Sequence, residues 1–240
     1  MIAVAGFKIV PDDTLIRAVN GKLELNVPPK ISTYDKNAIE EVVKIKEKLG
    51  WRAVGITVGN TDRKSVREAL SMGLDEVIAV SSGYLDVPGT AQAMAENLKA
   101  ISPSLVVLAE TTTDSSTSAL PPYLAELMGF NLVTYVRSMR IEGEVVVAER
   151  SVGTVEVVRA PLPAVISVTG EINTPRTPSV KQIMESAKKP VKQVNFSAPL
   201  MAELKEVVPF TVNRKRVVIE KPLEEAVDQL INYLKGEGIL

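Results

Sequence analysis

Short, almost wholly apolar runs alternate with amphipathic segments through the first half of this chain, and that alternation constrains the fold more than any other feature. Ile2 to Val10 reads as a strand. Asp35 to Leu49 reads as a helix, because Ala38, Ile39, Val42, Val43 and Ile45 recur at helical spacing against Lys and Glu. Trp51 to Val58 is a second strand. Arg63 to Met72 is a helix with Thr61 or Asp62 available as N-cap, and Glu76 to Val80 is a third strand. Pro88 to Lys99, Leu105 to Glu110 and Pro121 to Met128 continue as helix, strand and helix, with Gly50, Gly73 and Gly129 as stops. Strands this apolar are buried on both faces. Separated by helices, they form a parallel sheet whose right-handed crossovers give a doubly wound α/β fold.

The pattern changes after residue 130. Leu132 to Met139, Glu144 to Arg150, Thr154 to Val158 and Ala164 to Thr169 read as strands without helices between them. Turns at Glu142-Gly143 and Gly153-Thr154 predict antiparallel additions to the sheet. Residues 191 to 209 show little periodicity and contain Pro199 and Pro209, so they read as an extended arm before a last helix, Pro222 to Lys235. The expected organisation is an α/β domain over 1–190 and a C-terminal arm and helix over 191–240, packing on a partner subunit.

Composition removes several kinds of chemistry. The 240 residues include no Cys and no His, which excludes disulfides, thiolate nucleophiles, imidazole bases and most zinc or iron sites. A metal would need carboxylates alone, and no calcium-type cluster appears. Redox chemistry would therefore require a bound cofactor. A net charge of −1 and the lack of a basic stripe argue against nucleic acid as a partner. The N-terminal apolar run is interrupted by Lys8, and no apolar stretch approaches the ~18 residues of a membrane span. A soluble, cytoplasmic protein is expected.

The segment Ala109-Glu110-Thr111-Thr112-Thr113-Asp114-Ser115-Ser116-Thr117-Ser118-Ala119-Leu120 stands out as a candidate site. It follows a strand's carboxyl end and precedes a helix, where doubly wound sheets bind ligands. Helix N–H groups and small hydroxyls both suit phosphate. A solvated turn with redundant helix caps is the plainer alternative, and composition leaves both open. Gly6-Phe7-Lys8 and Val58-Gly59-Asn60 end neighbouring strands on the same sheet edge. The chain has no G-x-G-x-x-G and no P-loop, so any nucleotide site is of another type. Ser32 or Thr33 offers an N-cap for the first long helix. Met72 and Met184 read as core filler, Asp12 and Asp13 as loop residues, and Lys188-Lys189 as a solvated face.

Taken in order, these segments resemble the β subunit of electron transfer flavoprotein. The resemblance is carried by Lys8 with Val10-Pro11-Asp12, by Asp35-Lys36-Asn37-Ala38-Ile39-Glu40-Glu41, and by Val58-Gly59. Arg67-Glu68-Ala69-Leu70-Ser71-Met72-Gly73-Leu74-Asp75, Leu162-Pro163-Ala164-Val165 and Glu171-Ile172-Asn173-Thr174-Pro175-Arg176 complete it. It implies a fold of the adenine-nucleotide-binding α/β type, mostly parallel. It further implies a heterodimer with an α subunit that holds FAD, and AMP or a second FAD in this chain.

The resemblance carries the nucleotide contacts to Gly6, to Ser32, Thr33, Tyr34 and Asp35, to Val58 and Gly59, and to the loop Ala109 to Leu120. Within that loop Asp114 matches the family, whereas Ala109, Glu110 and Ser115 to Pro121 depart from its pattern. The wording at Val10-Pro11-Asp12 and Glu171-Ile172-Asn173 is similar to the electron-bifurcating branch, in which NADH is the electron donor. The family docks a dehydrogenase or quinone-reductase partner through an apolar knob that falls here on Val180; the other reading makes Val180 the first buried residue of a helix. No catalytic residue is expected, and oxidoreductase activity would belong to the flavoprotein complex. A non-redox adenine-nucleotide sensor of the same fold is the alternative. An adenylate hydrolase or ligase is weaker still, since neither base nor nucleophile is apparent.

Overall fold

The computed structural model describes residues 1–210 and 214–240. The chain begins with β1 (Ile2–Gly6), β2 (Ile9–Pro11), β3 (Arg17–Val19), β4 (Lys22–Glu24) and β5 (Pro29–Ile31). Then follow α1 (Asp35–Leu49), β6 (Arg52–Gly59), α2 (Arg63–Ser71), β7 (Glu76–Ser81), α3 (Val87–Lys99), β8 (Leu105–Ala109) and α4 (Leu120–Met128). A run of strands comes next: β9 (Asn131–Glu142), β10 (Val145–Val152), β11 (Thr154–Pro161) and β12 (Ala164–Val168). The chain ends with α5 (Val180–Ser186), β13 (Val191–Asn195) and α6 (Leu223–Gly236).

Nine strands form one sheet in the order β11-β10-β9-β12-β8-β1-β6-β7-β13. From β9 to β13 every neighbouring pair is parallel, while β10 and β11 are antiparallel additions at one end. This is the expected doubly wound α/β architecture. Two apolar layers cover it. Ile39, Val42 and Val43 of α1 and Leu70 of α2 pack with Ala3, Ala5 and Ala53 on one face. Met94 and Leu98 of α3 and Leu124 of α4 pack with Val4, Val54, Ile56 and Val106 on the other. Burial of a Leu or Ile side chain of this kind contributes roughly 1.5–3 kcal/mol.

Local chemistry sets the helix ends. Asp62 accepts from Ser65 N at 2.8 Å and Asp86 from Gly89 N at 2.9 Å, each satisfying an amide that the helix cannot. Gly50 and Gly129 end α1 and α4 in the left-handed conformation that glycine adopts without penalty.

Four sequence expectations change. Ile2 to Val10 is two strands, because the Lys8 N–H turns out of the ladder to Asp35 Oδ2 at 2.8 Å. The strand from Ala164 is no antiparallel addition; it inserts between β8 and β9, parallel to both. Residues 191–195, read as irregular arm, form the terminal parallel strand beside β7. The exposed hairpin of β3 and β4 was not anticipated.

Residues Met1–Val207 and Val208–Leu240 form two compact units. In the second, Leu223, Val227, Leu230 and Tyr233 of α6 remain exposed, and Lys221 pairs with Glu225 at 3.6 Å. No helix among the described residues is long and apolar enough to cross a membrane.

Candidate functional site

Strand order reverses between β1 and β8: the chain winds outward from β1 through β6 to β7, then crosses back to β8. Side chains at the carboxyl ends of these strands open into one cavity of about 700 Å³, within the ~300–1,000 Å³ range of small-molecule sites. Its apolar wall is formed by Phe7, Ile56, Val58, Leu85, Met94 and Leu108. Gly6 lies on the floor. A Cβ there would collide with the end of the Leu108 side chain, which would have to move to admit any larger residue. Gly59, at φ +97°, makes the turn that a residue with a Cβ rarely adopts.

The detour after β1 builds the second wall. β2 pairs with β5, and Ser32 N donates to Lys8 O at 2.9 Å, which brings the start of α1 beside Lys8. Asp35 is buried there, its carboxylate accepting the Lys8 N–H. Burial pushes its pKa up to about 7; the Lys8 N–H and ammonium oppose that rise and the Asp114 charge reinforces it. The Lys8 ammonium itself pairs with Asp114 Oδ2 at 2.6 Å. Burial raises the Asp114 carboxyl, but the bonds from Lys8 and Thr112 outweigh it and hold it below the ordinary value.

The hydroxyl-rich loop closes the cavity through its own bonds. Thr112 Oγ1 donates to Asp114 Oδ1 at 2.7 Å and lies 3.0 Å from Ser115 Oγ. Ser116 N donates to Thr112 O at 3.1 Å. Thr113 N reaches Ser32 Oγ at 3.3 Å, joining the loop to the α1 approach. Ser116 and Ser118 both take positive φ, 46° and 52°. Glu110 faces the neighbouring strands, accepting Tyr135 N at 3.1 Å and the Ser167 hydroxyl. The helix that follows starts at Leu120, and Pro121 and Pro122 remove two of the first amides. Phosphate donors at α4 are therefore fewer than a helix N-terminus normally offers.

The cavity brings together Gly6, Asp35, Val58, Gly59, Ala109, Thr111, Thr112, Asp114, Ser115, Thr117, Ser118 and Leu120. Ser32, Thr33, Tyr34, Thr113 and Ser116 do not line it: Ser32 is buried behind the loop, and Thr33 and Tyr34 are exposed. Neither Ser32 nor Thr33 caps α1, whose N-cap is Tyr34 without a side-chain bond. Sequence reasoning missed the segment Ser82 to Val87 and Leu204. The former ends β7 as Gly59 ends β6, so the strand-end rule would have found it. Leu204 carried no signal. It reaches the wall because Asp86 Oδ2 accepts Met201 N at 2.6 Å and Ala202 N at 3.0 Å. Those bonds, after the one from Gly89, hold the Asp86 carboxyl below its ordinary value. The hydroxyl oxygens of Ser82 and Thr113 are buried without a partner among the described residues.

A second feature lies away from the cavity. Residues 170–178 form a strap held on the outer face of α1. Arg176 bonds both oxygens of buried Glu40 at 2.8 and 3.0 Å and both of Glu47 at 2.5 and 2.9 Å. Asn173 and Asn37 exchange side-chain bonds to each other's main chain at 3.0 and 2.8 Å. The strap leads into α5, where Val180 is 75%, Ile183 55% and Met184 70% exposed. Val180 is thus not a buried helix start, and Met184 is not core filler, although Met72 is. Lys189 is not a solvated charge either: its ammonium donates to Leu70 O and Leu74 O at 2.8 and 2.6 Å.

Residues 22–199 match the model of the electron transfer flavoprotein domain family. The chain is similar to the electron transfer flavoprotein subunit beta of Thermoanaerobacterium thermosaccharolyticum, 28% identical over 97% of both chains. It is also similar to the subunit of that name from Clostridium acetobutylicum, 29% identical over 99% of both chains. The one from Bacillus subtilis is 28% identical over 87% of this chain and 86% of its own.

Proposed function

The chain belongs to the electron transfer flavoprotein family, and from that premise we propose that it is a β-type subunit holding an adenine nucleotide, AMP or FAD, in the cavity at the switch point of the sheet. One observation carries the reading. The ends of β1, β6 and β8, with the segment just after β7, meet at a single cavity where strand order reverses, the position at which open α/β sheets take their ligands.

The residues present fit such a group. The apolar wall suits a flat ring system, and the unpartnered hydroxyl of Ser82 on the lining suits a polar ligand. With two amides of α4 replaced by proline, the loop's own amides and hydroxyls from Thr111 to Ser118, together with Lys8, would hold phosphate. FAD would supply electron-transfer chemistry, whereas AMP would serve only as a structural ligand. This chain's residues bind, orient and exclude water.

The remaining parts of the reading concern partners. An FAD-bearing α subunit completes the heterodimer, and the exposed apolar face of α6 is the surface it covers. Electrons pass from a dehydrogenase or NADH to a downstream acceptor in the cytoplasm, with bifurcation the case if this chain holds FAD. Val180, with Ile183 and Met184 beside it, is the docking knob for the electron-exchange protein.

The test is to purify the chain with its α subunit, denature the complex and quantify released flavin and AMP. Two FAD per heterodimer supports bifurcation, one FAD and one AMP supports simple transfer, and no nucleotide in this subunit refutes the site. Asp114→Leu with Ser115→Leu should then abolish nucleotide retention with the fold intact by circular dichroism. The Lys8–Asp114 pair is partly exposed, so its loss should cost no more than about 1 kcal/mol of stability.

A further inference from the structure

We propose that the outer edge of β13, with the groove between it and α2, is a docking site for an extended, acidic segment of the electron-exchange protein. The groove is a cavity of about 400 Å³ that shares no lining residue with the switch-point cavity. One wall is a single stripe of α2: Arg63, Val66, Arg67 and Leu70 stand at i, i+3, i+4 and i+7, which places them on one helical face. The other wall is Val191 and Gln193, alternate residues on one face of β13. Lys189 closes the end between them, fixed by its two bonds to the carbonyls of Leu70 and Leu74.

Charge selects the occupant. Three cations line this groove and none of its lining residues is acidic, in a chain whose net charge is −1. Nearby carboxylates are engaged elsewhere: Glu68 with Lys36 at 2.6 Å, Asp75 with Lys46 at 2.5 Å and Glu185 with Lys181 at 3.9 Å. Arg63 and Arg67 form no ion pair among the described residues. Between the cations the lining is apolar, from Val66, Leu70, Ala187 and Val191.

Topology selects its conformation. β13 ends the sheet and pairs only with β7, so its outer edge presents main-chain groups without strand partners among the described residues. A segment added there gains main-chain hydrogen bonds, and every second side chain points toward the α2 stripe. Acidic residues at those alternate positions meet Arg63 and Arg67. The source of the segment follows from α5, whose Ser186 and following Ala187 form part of the groove while its Val180, Ile183 and Met184 are exposed. A protein seated on α5 is adjacent to the groove; this identification rests on the docking reading above.

The experiment uses the αβ heterodimer and a fluorescein-labelled peptide of alternating Glu and Val residues. The peptide should bind with strong salt dependence. Arg63→Glu with Arg67→Glu should weaken it by roughly tenfold or more, and N-methylation of alternate peptide amides should abolish binding. Val180→Ala with Ile183→Ala and Met184→Ala should leave peptide affinity unchanged while slowing electron exchange with the dehydrogenase that reduces the heterodimer. Failure of the peptide to bind, or indifference to the arginine change or to N-methylation, overturns the groove proposal. Unchanged electron exchange in the α5 variant overturns the docking reading instead, whatever the peptide does.

Discussion

Replacing Asp35 with Asn should remove a specific pH dependence from the stability of the fold. The Asp35 carboxylate is 3% exposed and sits at the switch-point cavity, where burial raises its pKa from an ordinary 3.8 to about 7. Between those values the native state keeps a proton that the unfolded chain has lost. The unfolded state then binds fewer protons, so stability falls as pH rises through the window. The contribution is fully present below about pH 3.8 and gone above about pH 7. At 1.36 kcal/mol per pH unit, the interval amounts to roughly 4 kcal/mol.

Asparagine has the shape of the protonated acid and keeps an oxygen for the Lys8 N–H, but does not titrate there. Urea denaturation followed by fluorescence of buried Trp51, the single tryptophan, measures the effect across about pH 4 to pH 8. The difference between variant and parent cancels the other titrating groups. It should be small near pH 4 and grow to about 4 kcal/mol in favour of the variant near pH 8. A difference that stays flat would show that Asp35 titrates as an exposed carboxylate, and the account of the cavity wall would fail with it.

Two further changes test the packing that presents the site. Arg176→Ala leaves Glu40 buried without its cation, which should destabilise the chain by about 3–5 kcal/mol in calorimetry; Arg176→Lys, unable to reach both carboxylates bidentately, should fall between. Gly6→Ala should destabilise by about 1–3 kcal/mol, because a Cβ there meets Leu108 and Met94 across the strand end; a thermal scan showing no change would mean the floor is looser than described.

The sheet centre and the helices α1 to α4 were legible in the sequence, and the reasons are local. Val54, Ile56, Ile78 and Val106 stand in apolar runs too short for helices, and Ala38, Ile39, Val42 and Val43 fall on one helical face. What depends on distant partners was not legible. Phe7 and Lys8 look like strand, but Asp35, 27 residues on, takes the Lys8 amide. The strand at Ala164 reads the same whether it joins an edge or inserts between β8 and β9, because its apolar run records burial and not its neighbours. β13 reads Val-Lys-Gln-Val-Asn, with its two valines three apart and so on opposite faces, and only Val194 is half-buried, so its edge pairing leaves no period-two apolar trace. At the cavity, glycine and hydroxyl residues marked three strand ends, whereas Leu204 arrives through an arm pinned by Asp86, which no spacing rule reveals.

The hydroxyl-rich loop shows how composition and conformation divide the work. Ser and Thr there suggested phosphate contacts at a helix start, yet the helix start is where Pro121 and Pro122 remove donors. Donor capacity moves back into the loop, whose backbone turns tightly, the Ser116 amide donating to Thr112 O. That turn takes Ser116 and Ser118 into the left-handed region, a conformation that costs a residue with a side chain about 1–3 kcal/mol. The bonds among Thr112, Asp114, Ser115 and Lys8 offset part of that strain, but a glycine at either serine would relieve it more simply. Serine keeps the hydroxyl that glycine would lose. Ser116 uses its hydroxyl within the loop, donating to Thr112 O at 2.9 Å, whereas Ser118 carries its hydroxyl on the cavity lining, where on the proposed reading it meets a phosphate.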